Sequence, residues 1–218
     1  VENVLRNGIA QSTSTSLKSA YFTAFRRTVT TSSGVSYLER VWRKEEKIPG
    51  LTFAETDYIA MAQDLAVRGV RETEAILAEQ LRTIANPDRR ERFAFSLPAL
   101  SPDQSVRDEF FASLAKVENR RHEPWVIDSL MFLNHPLHRK HAEQYIEPSL
   151  RLLSEIQRTG DIFFPTRWTQ AVLDGHNSRA AAELIARFLA TQPEYPPRLR
   201  QIIEQSSDNL MRAAKIVR

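Results

Sequence analysis

The sequence predicts an all-α fold, and more specifically a superhelical stack of antiparallel helix hairpins of the HEAT or armadillo kind. Only 6 of the 218 residues are glycine, and sustained alternation of polar and apolar residues, which is typical of half-buried strands, is almost absent. Apolar residues instead recur at steps of three and four between short turn-forming breaks. The predicted helix pairs start at intervals near the roughly 40-residue unit of HEAT-like repeats, without a repeated sequence signature.

Composition and charge argue against a nucleic-acid-binding protein and against a membrane-spanning one. The chain carries 30 basic and 27 acidic residues, and glutamates stand among the arginine clusters at 89–92 and 120–121. A mixed, solvated surface is therefore favoured over a nucleic-acid-binding one. No apolar run has the length that crosses a bilayer, so we expect no membrane partner. Without cysteine the fold needs no disulfides, which leaves the compartment open between bacterial cytoplasm and periplasm.

In the first part of the chain, turn-forming residues bound the predicted helices. We predict helices at Leu17–Val29 and Val35–Lys44, followed by a turn at Ile48–Leu51 that contains Pro-Gly. Thr52 and Glu55 have the spacing of a capping box, in which each side chain accepts from the other's free backbone N–H, and they predict the next helix start. The buried stripe of that helix is predicted to be Tyr58, Met61, Ala62 and Leu65, with Gly69 ending the helix.

The middle of the chain has the clearest start signal. A helix at Glu72–Ala85 is predicted to stop at the Asn-Pro pair that follows it. Ser101–Gln104 then combines a cap, a proline, an acid and a capping-box glutamine. The apolar face behind this signal is predicted to be Val106, Phe110, Leu114 and Val117. Glu123–Leu133 is a short predicted helix, and His138–Arg158 is a longer one that we expect to kink or break at Pro148.

The stretch 152–168 predicts a helix end, a polar turn and a new helix, and it is where we expect function. The buried face of the first helix is predicted to be Leu150, Leu153 and Ile156. Gly160 supplies the permissive backbone that ends this helix, and Pro165 suits the first turn of the next one. Apolar residues at helical spacing within 184–189 and 199–210 predict the last two helices.

No set of catalytic residues is found in the sequence. His135, His138 and His141 are three residues apart, whereas zinc ligands on one helix prefer a spacing of four. The basic side chains between them, Arg139 and Lys140, would repel a cation. We therefore expect a polar loop-to-helix junction there, with no metal and no cofactor in this chain. Nucleophile-elbow, P-loop and dinucleotide-binding motifs are also absent.

Charged and aromatic residues near the helix ends form the candidate binding set. The predicted substrate-binding residues are Arg121, Glu123, Trp125, Arg158, Asp161 and Arg167. The functional interpretation is an arginine-bearing rim that meets a peptide carboxylate through bidentate hydrogen bonds. The simpler interpretation is helix capping and surface ion pairing. Phe163 and Phe164 are expected to fix how two helices pack, since aromatics at such spacing are more often core than ligand groove.

Several phrases resemble the C-terminal helical domain of aminopeptidase N-type zinc metallopeptidases, particularly the bacterial members. The phrases are LKSAYFTAFRR at Leu17–Arg27, NPDRRERFAF at Asn86–Phe95, NRRHEPWV at Asn119–Val126, EIQRTGDIFFP at Glu155–Pro165 and DNLMRAA at Asp208–Ala214. This gluzincin family combines a zinc-bearing catalytic domain with an α-superhelix that encloses the cavity where peptides bind by their free N-terminus. The resemblance therefore implies one domain over 1–218, cut from a longer chain.

The resemblance also implies how this domain would work. The zinc-binding HExxH motif with its downstream glutamate, and the exopeptidase motif GxMEN, belong to upstream domains of the family and are absent from this sequence. The expected partners are therefore an upstream catalytic domain of the same polypeptide, which carries the zinc, and a peptide substrate. The alternative is a free-standing HEAT-like scaffold that binds a protein partner. A nucleic-acid-binding solenoid is the least favoured option.

Overall fold

The computed structural model describes residues 1–216, and within them the fold is all-helical, with no strand. The chain divides into two compact units, Val1–Ala94 and the part from Phe95 onward. The all-α class is therefore confirmed, while the superhelical stack and the single domain over 1–218 stay predictions. No helix in residues 1–216 is both long and apolar enough to span a membrane.

The first unit is built from consecutive helices that pack on one another along the chain. Its helices are α1 Glu2–Gln11, α2 Thr15–Thr28, α3 Ser32–Trp42, α4 Glu55–Val67 and α5 Thr73–Thr83, and α6 Pro87–Ser96 lies across the unit boundary. Phe25, Leu38 and Met61 are fully buried in its core. The Trp42 indole N–H donates to Gln80 Oε1 over 2.8 Å, so this buried pair links α3 to α5 without an unsatisfied polar atom.

The capping box predicted at Thr52 and Glu55 is wrong, because the helix begins two residues later. Ala54 is the residue before α4, and its backbone N–H donates to Asp57 Oδ2 over 2.8 Å. Glu55 instead accepts from the backbone N–H of Ala85 over 2.7 Å. Two other boundaries in this unit are confirmed: the chain turns at 48–51, and Gly69 follows α4 with a φ of +61°, where glycine is favoured. The helices predicted at Leu17–Val29 and Val35–Lys44 begin two and three residues earlier, at Thr15 and Ser32.

The predicted buried stripe of α4 is confirmed apart from its first member, since Met61, Ala62 and Leu65 are buried and Tyr58 is half-buried. Helix α5 ends at Thr83, close to the predicted stop. The Asn-Pro pair that marks this stop also begins α6, which the sequence reasoning missed. Asn86 Oδ1 accepts from the backbone N–H of Arg89 over 3.0 Å, as a helix cap does.

The second unit has its own hydrophobic core. Its helices are α7 Gln104–Ser113, α8 Glu123–Leu133, α9 Arg139–Ala142, α10 Ile146–Thr159, α11 Phe164–Leu173, α12 Arg179–Thr191 and α13 Pro197–Ile216. Three short 3₁₀ turns lie at Pro98–Leu100, Val117–Arg120 and Glu143–Tyr145. Helix α11 contacts α8, α10 and α13, and its Trp168 is fully buried. The elements around α11 therefore position the polar residues at its start.

Two details of α7 differ from the prediction. Its cap is Asp103, whose carboxylate accepts from the backbone N–H of Ser105 over 2.8 Å, and not Ser101. Its buried face carries Phe111, whereas Phe110 is only half-buried and Val106 is exposed. The predicted face also included Leu114, which is buried, and Val117, which is exposed. Several cap-competent residues in a row allowed more than one helix start, and packing against the core of the second unit selects Phe111 and Leu114 as the buried residues.

The prediction for 138–165 is largely confirmed. The helix breaks before Pro148, which lies in the first turn of α10, where its missing N–H costs nothing. Leu150, Leu153 and Ile156 are buried on one face, Gly160 ends α10, and Pro165 lies in the first turn of α11. Of the two phenylalanines, Phe164 is buried and Phe163 is exposed, so only one of them packs the helices.

The three histidines lie in the connection from α8 and at α9. The rings of His135 and His138 are 6.4 Å apart, and His135 Nδ1 accepts from the backbone N–H of Leu137 over 3.2 Å. Within residues 1–216, no three His, Cys, Asp or Glu side chains are grouped so that they could hold a metal ion. The three histidines thus lie at a loop-to-helix junction, and the absence of a metal there stays a prediction.

Candidate functional site

The start of α8, the end of α10 and the start of α11 come together in the second unit. Glu123 opens α8, and Arg167 lies in the first turn of α11. Asp161 lies in the connection between α10 and α11, just after Gly160. We call the group formed by Glu123, Asp161 and Arg167 the polar corner. It contains three of the six predicted binding residues.

Hydrogen bonds join all three members of the polar corner. The backbone N–H of Asp161 donates to Glu123 Oε1 over 2.8 Å. Arg167 Nη2 donates to Asp161 Oδ2 and, over 3.4 Å, to Glu123 Oε2. The backbone N–H of Phe163 donates to Asp161 Oδ1 over 2.6 Å. Asp161 thus fixes the connection on both sides, and Arg167 binds both carboxylates while offsetting one of their two negative charges.

Gly160 is needed in the corner for space and not for its backbone angles. Its φ of −107° and ψ of 179° are extended, which any residue adopts. A Cβ placed there would lie 2.5 Å from Phe164 Cδ1 and 2.9 Å from Glu123 Oε1. The prediction that Gly160 ends α10 is therefore confirmed, but the physical reason is the close approach of α8 and α11.

The pKa values of the two carboxylates in the corner are shifted in opposite directions. Burial raises the pKa of Glu123 above its ordinary value, and the neighbouring Asp161 carboxylate raises it further. The hydrogen bond from Arg167 lowers the pKa of Asp161, which is exposed to solvent. Asp161 therefore keeps its negative charge and its pairing with Arg167 over the neutral range.

A second arginine, Arg120, makes a buried clamp beside the corner. Only 2% of its side chain is exposed. Its Nη1 donates to the carbonyl oxygens of Leu114 and Ala115 over 2.5 and 3.0 Å, and its Nη2 donates to Glu155 Oε1 over 2.5 Å. The clamp joins the end of α7 to α10. Its guanidinium satisfies backbone acceptors that would otherwise lose hydrogen bonds.

The clamp was missing from the predicted site, which named the neighbouring arginine. Arg121 is exposed, as is Arg158 in the last turn of α10. Trp125 is half-buried on α8, where its ring stacks on His122 with centroids 4.0 Å apart. Thus Arg121, Arg158 and Trp125 take no part in the hydrogen bonds of the polar corner. A run of two arginines does not by itself reveal which one faces the interior.

The tip of the corner exposes two large apolar side chains. Ile162 is 66% exposed and Phe163 is 67% exposed, although both sit on a connection held at Asp161. The tip therefore offers apolar area next to the paired Arg167. The corner thus combines two carboxylates and a guanidinium with exposed apolar side chains.

Comparison with models of known protein families gave no match to this chain. A search of curated protein sequences gave no match either. The likeness to aminopeptidase N-type enzymes thus rests on the phrases quoted above and stays a prediction.

Proposed function

We propose that this chain is a non-catalytic helical domain of a zinc aminopeptidase, which encloses the active-site cavity and helps to hold the peptide substrate. The supporting observation is that two phrases of the resemblance, 119–126 and 155–165, contact each other directly. Arg120 of the first phrase binds Glu155 of the second, and Glu123 accepts from the backbone of Asp161. The two segments thus contact each other in the folded protein, which gives a physical reason why both occur in the same sequence.

The proposal places zinc and catalysis in an upstream domain of the same polypeptide. The residues described here do not fit a zinc site, since no suitable group of ligands occurs within 1–216. Glu123 and Asp161 are close together, but Arg167 binds both and would repel a cation. The chain's own contribution is therefore to bind and orient the peptide.

The exposed groups around the polar corner are those a peptide would meet. Arg158 and Arg121 are cationic and exposed, and they suit a carboxylate on the distal part of the substrate. The tip at Ile162 and Phe163 suits an apolar side chain. Arg167 is held by its two carboxylates and keeps the tip in position. The proposed substrate class is therefore a peptide of several residues, held beyond its first residue.

The test measures peptide-length dependence in the chain extended upstream to include the catalytic domain. Replacing Arg158 with glutamine should lower kcat/KM about three- to tenfold on peptides that reach the corner and leave dipeptides unchanged. Arg212→Gln is the matched control, because Arg212 is also an exposed helical arginine, paired to Asp208. Equal activity of all variants on every peptide length, including variants at Arg167, would remove the binding role of this corner.

A free-standing protein-binding scaffold is the second candidate. The exposed apolar tip at Ile162 and Phe163 favours it, since a partner protein would cover this tip as well as a peptide would. The coding sequence upstream of Val1 distinguishes the two candidates. A long open frame encoding the zinc motif supports the aminopeptidase domain, and a start codon close to Val1 supports the scaffold.

A further inference from the structure

A groove with an apolar lining runs between α7 and α10, away from the residues of the polar corner. It encloses about 550 Å³. Its apolar lining consists of Phe111, Ala112, Ala115, Tyr145, Pro148 and Leu152. Small side chains on one wall leave the space open. The rings of Phe111 and Tyr145 are stacked with centroids 4.4 Å apart and form a rigid floor.

One end of the groove carries a fixed carboxylate. Asp108 Oδ1 accepts from Tyr145 Oη over 2.5 Å, from Gln104 Nε2 over 2.7 Å and from Gln144 Nε2 over 3.1 Å. Burial and the Asp108 carboxylate both raise the pKa of Tyr145, so the phenol keeps its proton and continues to donate. Three donors on one oxygen hold the carboxylate still without neutralising it. This end therefore offers a negative charge to a cationic or N–H-bearing ligand group.

The other end of the groove carries Arg151. Its side chain is 58% exposed and pairs with Glu147, one turn earlier on α10, over 2.5 Å. Such an exposed pair is weak, so a ligand carboxylate can replace Glu147 at small cost. Arg151 also borders a second cavity of about 360 Å³, which Ser154, Phe188 and Tyr195 help to line. The Arg151 guanidinium thus borders both cavities.

From these features we propose that the groove binds a short extended peptide segment. Its apolar side chain would fill the cavity between α7 and α10, a basic group would face Asp108, and a carboxylate would face Arg151. Pro148 and Ser154, which line the two cavities, are on the order of 9 Å apart along α10 at about 1.5 Å per residue. An extended peptide covers that distance in roughly three residues.

The charges at the two ends decide between ligand classes. A fatty acid supplies an apolar body and a carboxylate, but it has no group that can donate to Asp108. A peptide supplies N–H donors and side chains of both signs. The proposal does not depend on the polar corner or on the aminopeptidase assignment, because none of the three corner residues lines the groove.

The probe is the peptide acetyl-Lys-Gly-Leu-Gly-Glu-amide, in which alternate side chains share one face of the extended form. It is added to the full chain, and binding is followed by ¹H–¹⁵N NMR. We expect saturable shifts at the backbone amides of Ala112, Ala115 and Leu152. Replacing the probe's leucine with alanine should weaken binding about tenfold, through loss of apolar contact. Replacing its glutamate with glutamine should weaken binding about threefold.

Two pairs of variants assign the contacts to the groove. Ala112→Leu fills the cavity from an exposed helical position, and Ala186→Leu on α12 is its matched control. Arg151→Gln removes the guanidinium, and Arg212→Gln removes an arginine from a pair of the same spacing on α13. We expect Ala112→Leu to abolish binding. Arg151→Gln should weaken binding of the glutamate probe threefold and leave the glutamine probe unchanged, and both controls should bind normally.

Three outcomes would overturn the proposal. The first is the absence of saturable shifts in the groove at millimolar probe. The second is equal weakening of both probes by Arg151→Gln, which would mean that the arginine acts on the fold and not on the ligand carboxylate. The third is tighter binding of decanoate than of the peptide at the same residues, which would make the groove a fatty-acid site.

Discussion

Two arginines in the second unit, Arg120 and Arg167, differ in burial and therefore in how much their hydrogen bonds are expected to stabilise the fold. Arg120 is almost completely buried, and its donors meet two backbone carbonyls and Glu155. Arg167 is 40% exposed and bridges two carboxylates, one of them on the surface. Both lie in or beside segments that carry the resemblance to one peptidase family. The buried arginine holds helix ends together, whereas the more exposed one pairs with two carboxylates in the polar corner.

The largest expected effect tests the buried side of this comparison. Arg120→Met removes the donors of two backbone carbonyls and leaves Glu155 without its partner. Glu155 is 35% exposed and can be hydrated, whereas each of the two carbonyls left without a donor costs about 1 to 3 kcal/mol. Urea unfolding followed by circular dichroism should show this loss. The control is Arg121→Met next to it, for which we expect a change within about 0.5 kcal/mol. Similar losses for both would contradict the assignment of Arg120 as the clamp.

A smaller effect is expected at Gly160, where the comparison depends on close packing. In Gly160→Ala the new methyl group would lie 2.5 Å from Phe164 Cδ1, and Phe164 is buried and has no room to move. Overpacking of this kind costs about 1 to 3 kcal/mol. The double variant Gly160→Ala, Phe164→Leu checks the cause, because a smaller side chain at 164 should relieve the clash. If the loss of stability in the double variant equals the sum of the losses in Gly160→Ala and Phe164→Leu, the strain does not come from the contact between these two residues.

His176 offers a third buried polar link, between the ends of α8 and α11. Its Nε2 donates to Asn134 Oδ1 over 3.1 Å, an assignment favoured because Asn134 Nδ2 already donates to the carbonyl of Leu130. Its Nδ1 is buried and has no hydrogen-bond partner among the described residues. Burial lowers the pKa of His176, although the Glu143 carboxylate partly opposes this.

This lowered pKa predicts a pH-dependent stability. In the folded protein the neutral imidazole of His176 is favoured. Its contribution to the free energy of unfolding is therefore complete above the pKa of the unfolded chain, near 6.5. This contribution is lost as the pH falls from 6.5 through the lower pKa of the folded state. We expect the free energy of unfolding to decrease between pH 7 and pH 5, with a slope of at most about 1.4 kcal/mol per pH unit, the limit for a single proton. His176→Gln should flatten this slope, and His141→Gln, at an exposed position, should not. An unchanged slope in His176→Gln would exclude His176 as its source.

Helix positions were largely predictable from sequence, because glycine and proline act locally. Gly69, Gly160, Pro148 and Pro165 all lie at or near helix ends where their backbone or packing properties are needed. Capping was less predictable, since Ser101 and Asp103 are both competent and only packing selects between them.

Where two residues of the same type are adjacent in the sequence, which of them is buried was the least predictable feature. Adjacent residues on a helix differ by about 100° in direction, so a shift of one residue exchanges a buried and an exposed side chain. This is the case for Phe110 and Phe111. It also applies to Arg120 and Arg121 beside a 3₁₀ turn, where the sequence reasoning chose the exposed member. The clamp depends on a contact with Glu155, and such long-range contacts leave no signal in local spacing.

The smallest expected effect concerns the exposed arginine of the comparison. Arg167→Gln removes a partly solvated pair, and Arg167 Nε is buried without a partner among the described residues, so part of the loss is compensated. Exposed pairs contribute about 0 to 1 kcal/mol, and we expect a change in unfolding free energy within that range. The hydrogen bond from Arg167 is the main cause of the lowered pKa of Asp161. The pKa of Asp161 should therefore rise towards its ordinary value, which ¹³C NMR of the carboxyl group can follow. Arg158→Gln should leave the titration of Asp161 unchanged. A large loss of stability in Arg167→Gln would mean that Arg167, like Arg120, is needed to hold the fold together.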